Sequence, residues 1–381
     1  MVELSNQKTT QLELEDQSPD DSLGLYDPIF KHSSSQSALY QQLIAAEFDK
    51  FKKDKEDLAN KPNSQQRPYN QLYYRNFVSL INPTSGAWLL AGMSHPSFIL
   101  SPFEFMAAMC RRNTTTNTSI PQYNRHVLSD NPQNYQCPCH GRIKAIDKHG
   151  YHMTACKIGG NAIRLHDNLV HTLVALFRLL GLSVALEPIN MFSDLEADDN
   201  RRPDILIRNP YGGGSQIIVD AAVVGFNGST RTHNNKPQQV ITHRESQKIS
   251  KYGTVTVATD NGLVFLAAVC STTGEMGESI KNLFLQQIRL KLQLVDGEVK
   301  KSKVQKIMKH CVSHISAAIN RSASRNIFLK ATKTVNLARH TQQNFSSSTS
   351  CDLTSSSASS SPDDLIQQFE LQIMNQNVLQ I

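Results

Sequence analysis

One aspartate stands inside a long apolar run. Residues 216–225, Gln-Ile-Ile-Val-Asp-Ala-Ala-Val-Val-Gly, read as a strand, and Asp220 sits in its middle. A carboxylate in that setting is expensive to bury unless it is paired or bound to a metal. Whatever this chain folds into must bring positive charge to the interior of that strand.

The surrounding pattern says which fold does so. An amphipathic stretch from Asn161 to Leu180 reads as a helix closed by Gly181. A strand follows at 183–188, a second at 204–209 after a polar loop, and the Asp220 strand is the third. Residues 237–252 read as helix. Residues 254–259 and 263–272 read as two more strands, and 277–294 as helix. Three consecutive strands between helices argue against simple βαβ winding and for a mixed sheet in an α/β sandwich. Upstream, helices are expected over 37–60 and 68–81. A capping box of Ser101 and Glu104, with Pro102 at the first helical position, opens a third helix. Downstream, a basic amphipathic helix is expected over 299–338, carrying Lys300, Lys301, Lys303, Lys306 and Lys309.

The resulting division is 1–35 disordered, 36–130 helical, 131–160 a metal knuckle, 161–296 the α/β domain, 297–340 a basic helical extension and 341–381 a low-complexity tail. A chain of 381 residues with 39% hydrophobic residues supports a sizeable core. The net charge of +6 favours polyanionic partners, and lysines on a helix neutralise phosphates without reading sequence. No apolar run approaches the roughly 20 residues that span a bilayer, and the N-terminus shows no secretory signal. An intracellular, reducing environment is expected, with the nucleus as one candidate compartment.

Seven cysteines, unevenly spaced, argue against a disulfide framework. Three of them cluster. Cys137 and Cys139, then His152 and Cys156, form C-x-C-x12-H-x3-C, two close ligand pairs of the kind that tetrahedral zinc requires. His140 and His149 are rival ligands. Four protein ligands leave no open position, so the expected role is structural.

Three acids fall at strand edges or inside a strand: Glu187, Asp204 after Arg202-Pro203, and Asp220. Adjacent strands would bring Asp204 and Asp220 together. Two converging carboxylates repel unless a divalent cation lies between them, and Mg²⁺ or Mn²⁺ suits oxygen ligands. Lys248 and Lys251, three apart on a helix, are the candidate lysines, and either one offsets charge developing on a phosphoryl transition state. The preceding helix adds His166-Asp167 to a polar stripe. As alternatives, Asp220 could pair with Arg244 or a lysine, and Asp204 could cap a turn.

Taken in order, these motifs resemble a known family. Cys137-x-Cys139, Gly150-Tyr151-His152, Cys156, Gly159-Gly160, His166-Asp167, Glu187-Pro188, Arg202-Pro203-Asp204, Asp220, Lys248 to Tyr252 and Thr273-Gly274 are similar to the C-terminal region of non-LTR-retrotransposon reverse-transcriptase-like proteins. That region carries a zinc knuckle and a restriction-like endonuclease of the PD-(D/E)xK type. The resemblance covers about residues 75–295, beginning at Gly86-Ala87-Trp88-Leu89. It implies a restriction-endonuclease-like sheet flanked by helices and metal-dependent DNA cleavage. Asp204 and Asp220 would hold magnesium, Glu187 would be an auxiliary acid, and Lys248 or Lys251 the catalytic lysine. It also supports His152 as the third zinc ligand. Two departures stand out: Leu165 precedes His166 where the family has arginine, and Ala222 stands where the plain motif puts lysine. A lysine from the following helix would repair the second. No Tyr-x-Asp-Asp tetrad occurs, so no polymerase is expected. The chain reads as a stand-alone endonuclease or as an inactive nucleic-acid-binding relic.

Overall fold

The computed structural model describes residues 35–61, 67–91, 96–112, 137, 139, 149–188, 202–208, 216–226, 236–258, 263–297 and 299–347. The expected disordered N-terminus, His140, the linker after Arg112 and the serine-rich tail lie outside these residues. The chain divides into two units, Met1–Ile44 and Ala45–Ile381. Only helical residues from Ser35 are described in the first, and the sheet and both candidate sites belong to the second.

The elements, in order, are helices α1 (Ser35–Asn60), α2 (Arg67–Leu80), α3 (Pro102–Arg112), α4 (Tyr151–Ala155) and α5 (Asn161–Leu179), strands β1 (Ser183–Leu186), β2 (Ile205–Arg208) and β3 (Gln216–Val224), helix α6 (Pro237–Ala258), strand β4 (Leu263–Ser271), and helices α7 (Glu278–Asp296) and α8 (Lys301–Ser347). The four strands form one mixed sheet in the order β1-β2-β3-β4. β1 and β2, then β2 and β3, pair antiparallel, and β3 pairs parallel with β4. The α/β class and mixed sheet are those expected from the pattern.

One expectation fails. The Thr/Val alternation of residues 254–259 predicts a strand, and residues 254–258 instead complete α6. Each β-branched residue costs a helix only a few tenths of a kcal/mol, and extending an existing helix carries no new nucleation cost. The parallel partner of β3 also needs a crossover of a dozen or more residues, which α6 supplies.

The period-two alternation of β3 divides its side chains between two layers. Ile217, Val219 and Ala221 face a core shared with α5, α7 and α8. Ile218 and Ala222 face the other way, towards Tyr252 and Ile241 of α6. Asp220 belongs by alternation to this second face. Helix α5 buries Leu165, Leu169, Leu173, Leu176 and Phe177, and Phe177 stacks on Phe284 of α7 at 5.2 Å. Its end is a Schellman turn: Gly181, at φ 85°, donates to Arg178 O, and Leu182 donates to Phe177 O at 3.0 Å. At α3 the capping box is reciprocal, with Ser101 N donating to Glu104 Oε2 at 2.9 Å and Glu104 N to Ser101 Oγ at 3.3 Å.

The last helix departs most from its sequence impression. Its first turns expose Lys301, Lys303, Lys306 and Lys309. Beyond them, Cys311, Ile315, Ile319, Ala323 and Ile327 are buried. So are Ser313, Ser316, Asn320, Ser324 and Asn326, which would be costly without partners. Ser313, Ser316 and Ser324 donate to the carbonyls of Ala87, Ser85 and Glu104. The helix is therefore apolar towards the sheet layer and hydrogen-bonded towards the upstream turns. Among the described residues, no helix is long and apolar enough to cross a membrane.

Asn326 joins three elements. Its Nδ2 donates to Asn161 O at 2.9 Å and Thr154 O at 3.3 Å, and its Oδ1 accepts from Arg164 Nε at 3.1 Å. Asn326→Ala leaves buried carbonyls without a donor and is expected to lower unfolding stability by about 1–3 kcal/mol, read as an earlier urea midpoint at unchanged slope. An unshifted midpoint would mean that the junction contributes nothing.

Candidate functional site

Two clusters of chemically active side chains stand out. The first is built from a left-handed turn. Gly150, at φ 82°, lets the chain enter α4, and a Cβ there would lie 2.7 Å from Ile327 Cδ1. His152 sits in α4 and Cys156 directly follows it, four residues on, so one helical turn points both the same way. Cys137 and Cys139 approach from the preceding segment. The four ligand atoms of Cys137, Cys139, His152 and Cys156 lie within 4.8 Å of one another, and all four residues are buried. Cys137 Sγ is 3.5 Å from Cys156 Sγ, and Cys139 Sγ is 3.7 Å from His152 Nε2. Zinc bonds of about 2.0–2.3 Å at tetrahedral angles give ligand–ligand edges of about 3.4–3.8 Å, so this cluster has the size and donors to hold a metal such as zinc. Of the two rival histidines, His149 turns its ring edge to Tyr73, with centroids 4.9 Å apart, and His140 lies outside the described residues.

Burial acts to raise both the Cys137 and the Cys156 thiol. At Cys137 the hydrogen bonds from His152, the Cys139 backbone and Cys156 outweigh burial and bring the thiol down to about 6. At Cys156, burial and the bond to Cys137 push it up to about 11. The described cysteines are all unbridged.

The second cluster lies on the sheet. Ile205 pairs with Val219, and continuing that register one residue places Asp204 opposite Asp220. Such neighbours on one face have Cβ atoms about 4.5–5.5 Å apart, and like charges there repel. Two cations answer them from opposite sides. Lys248 of α6 places Nζ 2.7 Å from Asp220 Oδ2, both side chains nearly buried. His166 of α5 places Nε2 3.2 Å from Asp204 Oδ2, and its Nδ1 3.2 Å from Asp167. The backbone N–H of Ala221 also donates to Asp204 Oδ2, at 2.6 Å.

The two carboxyls titrate apart. Burial, together with a hydrogen bond to Asp204, pushes Asp220 up to about 6 despite Lys248. Burial would also raise Asp204, but His166, Asp220 and the Ala221 amide hold it below the usual carboxylate range. The bond to Asp204 lifts His166 to about 9, against its burial.

The remaining expected residues lie elsewhere. Lys251 donates from Nζ to the Tyr252 hydroxyl at 3.3 Å, and that hydroxyl donates to Arg202 O. Glu187 is half-exposed and pairs with Arg202 Nη2 at 3.0 Å. Its φ of 43° makes it the one non-glycine residue in the left-handed region among those described. Its N–H donates to Asp204 O at 2.8 Å, so it steadies the entry to β2 through the backbone. Arg244 bonds Gln247 at 2.9 Å, which leaves the Asp220 pairing to Lys248.

A buried polar network went unread in the sequence. Glu275, following β4, accepts from Ser79 Oγ at 2.5 Å and Asn82 Nδ2 at 3.1 Å, and Ser79 also meets Thr273 at 2.6 Å. Burial pushes the Glu275 carboxyl up to about 7. No local spacing announces it, because its partners lie nearly two hundred residues upstream.

A comparison with protein-family models finds no match for this chain, and a search of curated proteins likewise finds none.

Both clusters can be tested directly. Purified protein is expected to carry about one zinc per chain by elemental analysis, and Cys137→Ser to lose it. Zinc content equal in both proteins would remove the cluster as a metal site. The His166–Asp204 pair stabilises fully below the ordinary histidine value of 6.5, and that contribution is lost as pH rises through about 9. Without added divalent metal, urea stability should therefore fall from pH 6.5 to 9, and His166→Gln should flatten the decline.

Proposed function

We propose that the chain is a metal-dependent DNA endonuclease that hydrolyses phosphodiesters, with a restriction-endonuclease-like core and a structural zinc knuckle, derived from a retroelement. One observation carries this reading: Asp204 and Asp220 are register neighbours on one sheet face, and Lys248 meets Asp220 at 2.7 Å. The order of helix, three strands, crossover helix and parallel strand supports it, because that arrangement puts both acids at one site.

The donor set suits a hard cation. Two carboxylates that must otherwise share a hydrogen bond provide oxygen ligands for Mg²⁺ or Mn²⁺. Such an ion, when bound, supplies Lewis acidity and an activated water. Asp204 and Asp220 are its proposed ligands. His166 orients Asp204, while Lys248 offsets negative charge developing on the phosphoryl oxygens. Lys248 thus takes the role left open by Ala222, and Lys251 does not. Glu187 acts as a backbone support rather than as an acid. The exposed lysines at the start of α8 suit contacts to the phosphate backbone.

A second reading is favoured by the completeness of the pairing. Asp220 with Lys248, and Asp204 with His166, neutralise the site with no ion present. A non-catalytic nucleic-acid-binding protein would keep such a site as a structural ion-pair cluster.

Nicking of supercoiled plasmid in Mg²⁺ or Mn²⁺ separates the two. Asp204→Ala and Lys248→Gln are expected to lose about 100-fold or more in rate, while Lys251→Gln stays near wild type, with circular dichroism confirming that each variant folds. Wild-type protein that binds DNA but never nicks it would leave the binding reading. Binding whose affinity ignores salt would remove both.

A further inference from the structure

A pocket beside the metal-ligand cluster, and away from the paired carboxylates, is lined by aromatic rings with a few polar groups. It opens to solvent and is bounded by Lys55 of α1, Asn70, Tyr73 and Phe77 of α2, and His149 and Tyr151 at the metal knuckle. Its walls are aromatic. Tyr73 and His149 meet edge to face at 4.9 Å, Tyr73 and Tyr151 lie 5.8 Å apart, and His149 and Tyr151 5.6 Å apart. Tyr73 and Tyr151 also pack with Leu72, Leu80, Phe226 and Val240, so the rings are held by the core beneath them.

Its polar groups are sparse and set at different positions. Lys55 lies over the Phe51 ring at 5.0 Å, and Phe51 in turn meets Phe77 edge to face at 5.3 Å, which keeps the ammonium beside the pocket. Asn70 Nδ2 makes only a long contact, 3.5 Å, to Leu58 O. Its amide therefore remains able to meet a polar ring edge. Glu56, on the same helix as Lys55, is engaged by the Tyr74 hydroxyl.

An aromatic pocket without a cation would suit a quaternary ammonium ligand. The ammonium of Lys55 disfavours that class and favours a planar ring attached to an anion. We propose that this pocket binds one unstacked nucleobase of a single-stranded nucleic acid, with the ring against Tyr73, Asn70 at its polar edge and Lys55 on the adjoining phosphate. Base–aromatic stacking and a lysine on the backbone are the recurrent means of holding single strands. The inference does not depend on cleavage, since none of these residues belongs to the Asp204–Asp220 cluster.

The test uses the full chain with its zinc and no added magnesium, so that loss of cleavage cannot imitate loss of binding. A fluorescent oligothymidylate carrying one 5-iodouracil is titrated by anisotropy and then photo-crosslinked. Crosslinks are expected in peptides containing Tyr73 or Tyr151. Tyr73→Ala should weaken binding by about 5- to 100-fold, as the loss of one stacked base does, and Tyr73→Phe should restore it. Lys55→Ala, half-exposed and outside the core, should weaken binding and reduce its salt dependence. Binding of thymidine monophosphate as tight as that of the oligonucleotide would overturn the single-strand assignment in favour of a free nucleotide. Unchanged oligonucleotide affinity in both Tyr73→Ala and Lys55→Ala, or crosslinks confined to other peptides, would overturn the site itself.

Discussion

Two carboxylates facing each other across buried strands cannot both stay ionised without positive charge close by. Much of this fold is arranged around that constraint. β2 and β3 set Asp204 opposite Asp220, α6 crosses the sheet at the height that delivers Lys248, and α5 crosses the other layer to deliver His166. Each cation arrives on a different helix, so the electrostatics tie both helical layers to the centre of the sheet. Removing one partner of a buried pair costs about 3–5 kcal/mol, whereas a wholly apolar replacement is often tolerated. A site kept polar at that expense is the physical ground for reading it as chemistry.

The metal-ligand cluster stands on a different footing. Cys137, Cys139, Met153 and Cys156 form a small core whose one distant member is Ile327. Asn161 adds a bond to Met153 O at 2.8 Å, and Asn326 reaches Thr154 O. The knuckle is therefore packed against the first turn of α5 and the far part of α8, with Gly150 permitting the close approach to Ile327. It is a built-in corner of the domain and not an appended finger.

Much of this was legible in the sequence, for identifiable reasons. Strong period-two and period-3.6 patterns mark the strand order and α5, while Ser101, Glu104 and Gly181 mark helix ends by chemistry that is local. Which lysine meets Asp220 was also recoverable. Ile241, Glu245, Lys248 and Tyr252 follow the 4-3-4 spacing of one helix face, and Ile241, Glu245 and Tyr252 are buried, which leaves Lys251 off that stripe. What stayed hidden was non-local. The Thr/Val run after Tyr252 carries a strand-like propensity that helix continuation overrides. The buried serines and asparagines of α8 read as polar until the carbonyls they bond are known. The left-handed backbone angle of Glu187 and its N–H bond to Asp204 O are likewise invisible in sequence.

The depth of α8 in the core has a biosynthetic consequence. Synthesis runs from the N-terminus, so Cys137, Cys139, His152 and Cys156 leave the ribosome well before Ile327 and Asn326 do. Any metal these four residues take up can therefore be bound before the packing that covers Met153, and the sheet waits with one layer open until Ile315, Ile319 and Ala323 arrive. A nascent chain stalled or frameshifted between these points would carry a completed ligand cluster beside bare apolar surface, the kind of intermediate that chaperones and proteases recognise.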